Sequence, residues 1–310
     1  MTRLTVIACV LIFTGIAASA AEPFPLRDGD VVAFVGNTFL ERDQRDGYIE
    51  LALTLSAPNA DVSFRNLGWS GDTVDGRARR YFGSTEEGYK HLLDHLDAVK
   101  PTVIVVCYGT NEAFDGEARR AGFIEGYSRL LEDLRKRTER ILLVSAPPLE
   151  PGSSPAPAVA KRVNQEITKQ SEAVRELAGK YSLGFVDLFT PMHKMVGGGN
   201  DTEPLTDNGL HLTPRGYRIA ANEIVEGVAE STNASTDVAE ALSESEERLR
   251  QAIVEKNMLF FHRHRPENET YLRGFRKHEQ GNNAAEIYAF EPLVAEKDRE
   301  IFERRKAAMK

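Results

Sequence analysis

Short β-branched runs alternate with longer amphipathic stretches through the first two thirds of this chain, and no other feature restricts its fold as tightly. Five runs stand out, at 31–35 (VVAFV), 62–66, 102–107 (TVIVVC), 141–144 and 183–188. Stretches with helical spacing lie at 48–55, 119–140, 159–177 and 214–228. Strands separated by helices long enough to cross back over a sheet pair in parallel, so the expected class is α/β, with helices on both faces of a central sheet. The run at 102–107 is nearly all apolar and should be buried on both faces. Breakers close the strands: Gly36, Gly68, Gly109 and the pair Pro147-Pro148.

In an open parallel sheet, chemistry gathers beyond the carboxyl ends of the strands, where separate loops converge. Four loops there carry suggestive residues. They are Gly36-Asn37-Thr38-Phe39, the stretch 66–73 (NLGWSGDT), Gly109-Thr110-Asn111-Glu112, and Asp207-Asn208-Gly209-Leu210-His211-Leu212. Together they hold a hydroxyl, an imidazole, a side-chain amide and turn glycines, which are the parts of an acyl-transfer site: nucleophile, general base and oxyanion donors. Each part also has a plainer reading. Thr38 would serve as a cap on the following helix, Asn111 as another cap, Gly68 and Gly71 as tight-turn residues, and His211 as a surface imidazole before the helix start Thr213-Pro214. Ser70 is a poor alternative nucleophile, because its framing does not match Gly-x-Ser-x-Gly.

Taken in order, the four blocks resemble those of the SGNH (GDSL-type) hydrolases, a family of esterases and acylhydrolases, over roughly residues 28–230. The resemblance implies a three-layer α/β/α, flavodoxin-like fold and hydrolysis of a carboxylic ester. It implies Thr38 as nucleophile, His211 as general base, and the N–H groups of Thr38 and Gly71 with the Asn111 amide as the oxyanion hole. Two positions depart from the family pattern. Thr38 stands where a serine is usual, and its extra methyl restricts χ1 and crowds the approach to a carbonyl carbon. Asn208 stands where an aspartate usually orients the imidazole, so that task falls to the Asn208 side-chain oxygen or to the neighbouring Asp207. A carbohydrate ester, with deacetylation as the reaction, is the substrate implied by exported members. The competing expectation is a weak or inactive member that binds an extracellular glycan or serves in assembly.

The chain of 310 residues carries 39 Lys+Arg against 47 Asp+Glu, a net charge of −8, which disfavours nucleic acid as a partner. Arg3, the apolar run at 4–16 and the small residues at 17–21 have the layout of a secretory signal cleaved after Ala20, so an exported, periplasmic or extracellular location is expected. Loss of Cys9 with that leader leaves Cys107 without a disulfide partner. The small polar stretch 231–236 marks a linker. The expected organisation is therefore a signal at 1–20, a hydrolase-like domain at 21–230, and a linker with a mostly helical extension at 231–310, its first helix at 239–255. About eighty residues make a poor core of their own, so the extension should pack on the main domain or hold a protein partner. Its cluster of His262, His264 and His278 among Arg263, Arg265, Arg273, Arg276 and Lys277 is read as a basic surface docking on the acidic domain, or as an anion site. His91 and His95, four apart on a helix, read as a solvated face before a metal site. No metal or organic cofactor is implied, and no membrane span in the mature chain.

Overall fold

A computed structural model of the chain describes residues 24–152, 154–196, 203–228, 241–266 and 284–309. The expected leader at 1–20, the linker at 231–236, His278, Arg273, Arg276 and Lys277 fall outside those residues. Five strands, β1 (Val31–Gly36), β2 (Ser63–Asn66), β3 (Val103–Cys107), β4 (Ile141–Val144) and β5 (Gly184–Val186), form one parallel sheet in the order β2-β1-β3-β4-β5.

Side chains on successive strand residues point to opposite faces. Val32, Phe34, Val103, Val105, Leu142 and Val144 belong to one core, and Ala33, Val35, Ile104, Val106, Ile141 and Leu143 to the other. Continuous apolar runs are therefore required wherever helices cover both faces. The first core is roofed by α1 (Thr38–Asp46), α2 (Tyr48–Ser56) and α8 (Pro214–Glu226). The second is roofed by α3 (Thr85–Val99), α5 (Glu117–Arg135) and α6 (Pro157–Tyr181). Two short helices, α4 (Thr110–Phe114) and α7 (Phe189–Val196), complete the main body. This is the expected three-layer α/β/α architecture.

Several helix limits differ from the sequence expectation for local reasons. Helix α1 starts directly after β1, because Asn37 supplies the cap: its Oδ1 accepts from the Phe39 N–H at 3.2 Å. Thr38 is thus the first helical residue and not the cap. Helix α5 stops at Arg135, short of the expected 140. Helix α6 begins at Pro157, whose missing N–H costs nothing in a first turn, and runs on to Tyr181.

The extension contributes α9 (Glu244–His264), α10 (Ala284–Tyr288) and α11 (Phe290–Ala308). The start of α9 is later than expected because Ser243 and Glu246 form a capping box there, and it continues through the histidine-rich segment. Helix α11 packs on α9, and α9 lies on α1, α2 and the edge strand β2. The buried Lys256 ammonium bridges the Glu50 carboxylate, at 2.6 and 2.7 Å, and the outward carbonyl of Phe64 on β2, at 3.0 Å. Arg65 forks onto Asp298 and Arg305 reaches Asp61 at 2.7 Å. An edge strand that would otherwise offer free backbone groups is in this way covered. Among the described residues no helix is long and apolar enough to cross a membrane.

Candidate active site

The strand order reverses between β1 and β3, and the loops leaving those two strands open the crevice. Gly36 sits in register with Cys107, where a Cβ would collide with the Cys107 carbonyl and lie 2.9 Å from Leu40 Cδ1. That close approach sets the start of α1 beside the end of β3. Thr38, in the first turn, keeps its N–H free of intrahelical bonding, as first-turn residues do. Its Oγ1 accepts from the Gly71 N–H at 3.0 Å. Gly71 has φ +74°, and nothing stands within 4 Å of a Cβ there, so glycine is needed for the backbone conformation and not for space.

The loop carrying Gly71 is fastened from several sides. The Trp69 N–H donates to Gly36 O at 3.0 Å, and the Gly68 N–H to Asn66 Oδ1 at 2.9 Å. A Cβ on Gly68 would lie 2.5 Å from Glu41 N, so the loop rests directly on α1. Asp72 is wholly buried and accepts from Arg79 Nε at 2.6 Å and the Tyr108 hydroxyl at 3.0 Å. Asn111 Nδ2 donates to the Asp72 carbonyl at 2.6 Å, and Glu112 Oε1 accepts from the Val74 N–H at 2.9 Å. Burial, moderated by that N–H, pushes the Glu112 carboxyl up to about 7. Asp72 and Glu112 lie in two of the loops singled out in the sequence, but no role is legible there for either of them, nor for Arg79 and Tyr108. Their pairing links residues 7 to 39 positions apart, and no local pattern announces it.

His211 faces the same cleft as Thr38 and Asn111, with Asn37, Phe39, Arg42, Thr110, Pro147, Leu210, Leu212 and Tyr217 completing the wall. Its loop is an Asx turn: Asn208 Oδ1 accepts from the N–H groups of Leu210 (3.1 Å) and His211 (2.9 Å). The oxygen expected to receive an imidazole proton is therefore occupied by backbone. It is Asn208 Nδ2 that meets His211 Nδ1, at 3.0 Å. An amide NH₂ only donates, so Nδ1 is an acceptor and the ring proton resides on Nε2. Asp207 Oδ1 stands 3.9 Å from Nδ1, outside hydrogen-bond range, while its other oxygen contacts Arg42 at 3.4 Å. Partial burial, then the Arg42 cation, hold the His211 pKa below its ordinary value, against the opposing charges of Asp207 and Glu41.

Three other residues singled out in the sequence do not line the cleft. Ser70 donates to Glu41 Oε2 at 2.5 Å. His91 and His95 are not a solvated face: His91 Nδ1 meets the Arg79 carbonyl at 2.9 Å, and the His95 ring stacks on Trp69.

Against known proteins, residues 32–219 match the GDSL-like lipase/acylhydrolase family, which is more than half of the chain and spans all four loops. The chain belongs to that family. Ester hydrolysis is the reaction class that comes with this GDSL-like domain. No curated protein sequence matches the chain. Among solved structures it is similar to BT4096, a gut microbial diltiazem-metabolizing enzyme, at 13% identity and TM-score 0.64, over 93% of this chain and 97% of that one. It is also similar to Axe2, an acetylxylan esterase from Geobacillus stearothermophilus, at 15% identity and TM-score 0.52, over 67% of this chain and 98% of that one. Both likenesses are of fold. Catalytic mutants of Axe2 replace an aspartate, a serine and a histidine.

Proposed function

We propose that this GDSL-like protein is an exported esterase that removes a small acyl group, acetyl above all, from a carbohydrate ester. The observation that carries the reading is that Thr38, Asn111 and His211 wall one cleft, with the Gly71 N–H aimed at the Thr38 hydroxyl. In the first step Thr38 Oγ1 bonds to the carbonyl carbon and its proton passes to His211 Nε2. The oxyanion is received by the N–H groups of Thr38 and Gly71 and the second Nδ2 hydrogen of Asn111. Collapse expels the sugar oxygen, which takes the proton back from His211. Water then attacks the acyl-threonine, with His211 again as base, releasing the acid and restoring Thr38.

This cycle needs Nε2 unprotonated, hence a proton on Nδ1. Asp207 supports that tautomer once its carboxylate closes the 3.9 Å gap. The cleft is small: about 20 Å³ of it is open to the centre of a water molecule, which is room for one or two waters. The carbohydrate portion of the reading leans on the acetylxylan esterase named above, and export on the leader at 1–20.

One observation favours a second reading, a cleft that binds an ester-bearing glycan and cleaves it negligibly: the Asn208 amide donates to Nδ1 and holds the imidazole in the tautomer that cannot act as base. Turnover of an acetyl ester by the native protein, Thr38→Ala and Thr38→Ser separates the two. The esterase reading expects loss with alanine and gain with serine; equal rates in all three discard it.

A further inference from the structure

Trp69 is the chain's one tryptophan, and it lies two residues before Gly71 in the loop that donates to Thr38. Its indole, 5% exposed, is enclosed by side chains from three separate elements. Arg79 lies over the ring at 5.2 Å, Tyr81 meets it edge-on at 5.9 Å and His95 of α3 stacks on it at 6.3 Å. Arg265, the residue that ends α9 in the extension, lies over it at 4.0 Å. Nδ1 of His264, just before it, meets the Phe260 carbonyl at 3.0 Å, and its ring meets His95 edge-on at 5.5 Å. A guanidinium stacked on a desolvated indole is among the stronger contacts a surface helix can make.

The same arginine reaches α1. Its Nη1 is 3.7 Å from Glu41 Oε1, and the other Glu41 oxygen receives the Ser70 hydroxyl at 2.5 Å. Glu41 is one turn after Thr38 on α1. Residues 69 and 70 are thus held from one side by Arg265 and its partner Glu41, while the Trp69 N–H is held from the other by Gly36 O.

We infer that the carboxyl end of α9 is a clamp on the oxyanion loop, with Arg265 as a positioning residue that fixes the Gly71 N–H through Trp69 and Ser70. The inference rests on the reading of Gly71 as an oxyanion donor. It makes the extension part of the active site's support, in place of a platform whose only use is a partner. Arg265 touches no reacting atom; it limits the play of a donor whose direction decides how well a tetrahedral oxyanion is held, and errors of that kind lower kcat more than they raise KM.

The test uses the full chain with Arg265→Ala and Arg265→Lys, well below the melting temperature of each. Trp69 emission reports the clamp directly, since no other indole contributes. Arg265→Ala is expected to red-shift that emission, open it to acrylamide quenching, and lower kcat about tenfold with KM within about twofold. Arg265→Lys keeps the charge beside Glu41 without the planar stack and should recover part of both signals. Unchanged emission and kcat in both variants overturn the clamp, as does a lower melting temperature with kcat intact. Should the alanine variant fail to fold, the lysine variant carries the same comparison. The underlying reading fails separately: if Thr38→Ala keeps full turnover, the threonine chemistry falls, while the Trp69 shift in Arg265→Ala still reports whether Arg265 packs on the indole.

Discussion

Replacing Asn208 by aspartate changes one atom of the side chain and reverses one hydrogen bond. Oδ1 already accepts from the N–H groups of Leu210 and His211, and a carboxylate keeps one oxygen there. Its second oxygen takes the place of Nδ2, 3.0 Å from His211 Nδ1. An acceptor in that position draws the ring proton to Nδ1 and leaves Nε2 free to take one from Thr38. The gain has two parts. The tautomer no longer has to be inverted before each turnover, and the imidazolium formed in the transition state acquires a counter-charge. For unit charges about 4 Å apart at an effective dielectric near 20, that second part is about 4 kcal/mol, or roughly 10³ in rate. Asp207, whose oxygen is 3.9 Å from Nδ1, already supplies some of it. Asn208→Asp is therefore expected to raise kcat for an acetyl ester by about 10² to 10³, below the ~10⁴ that the reverse change costs a serine protease. Nitrogen-15 NMR of the labelled imidazole, assigned with His211→Gln, reads the tautomer independently. A native protein already protonated at Nδ1, or an Asn208→Asp rate within twofold of native, would refute the reasoning.

Other outcomes follow from the same geometry. Because burial and then Arg42 hold the His211 pKa below 6.5, the acid limb of kcat/KM should fall below pH 6.5, and Arg42→Ala should move it upward; a limb at or above 6.5 in the native protein contradicts this. Lys256→Met strands the buried Glu50 carboxylate and should cost about 3–5 kcal/mol in urea unfolding, most of it recovered by adding Glu50→Leu. A single-variant loss under about 1 kcal/mol would mean the pair does not hold the extension. Burial pushes the His264 imidazole down to about 3, so below pH 6.5 the unfolded chain takes up a proton that the folded chain refuses. Stability should drop by about 1.5 kcal/mol between pH 6.5 and 5 on this account, and His264→Phe should remove that share of the slope. An unaltered slope would place the acid sensitivity elsewhere.

The sheet was legible in the sequence because strands buried on both faces leave little freedom of composition. The runs at 31–35 and 141–144 have nearly the limits observed, and only their ends shift. The four loops were legible as well, since glycines, a hydroxyl and an imidazole at strand ends are local signals. Three kinds of feature were not. Helix α1 is too charged to read as a buried helix, its TFLERDQRD being ordered by the Asn37 cap and the left-handed Gly47. The Asp72–Arg79–Tyr108 network joins residues whose types would be equally at home on a surface. The polarity of the Asn208–His211 contact differs from the sequence expectation because it is decided by two backbone N–H groups, and a sequence does not show which way an amide must turn to satisfy them.

Those two backbone bonds also explain why the esterase and binding readings are so close. The Nδ2 of Asn111, the N–H of Thr38 at the helix start and, in the tautomer that the Asn208 amide favours, the Nε2–H of His211 are donors carried by residues that wall one small space, and the Gly71 N–H reaches the Thr38 hydroxyl beside it. Such a set holds an oxyanion whether or not the protein created it. What separates the two readings is a single proton on one ring, and its site is set by the Asn208 amide against the Asp207 carboxylate. Thr38 alone would slow acyl transfer through its methyl and leave the mechanism intact. Asn208 acts at a different step, on the availability of the base. The effects of Thr38→Ser and Asn208→Asp should therefore differ in kind: the first faster at every pH, the second altering the acid limb as well as the rate, because only the second changes the proton affinity of His211. A double variant whose acid limb matches that of Thr38→Ser would show that Asn208 has no hold on the imidazole and that its amide does not set the ring proton.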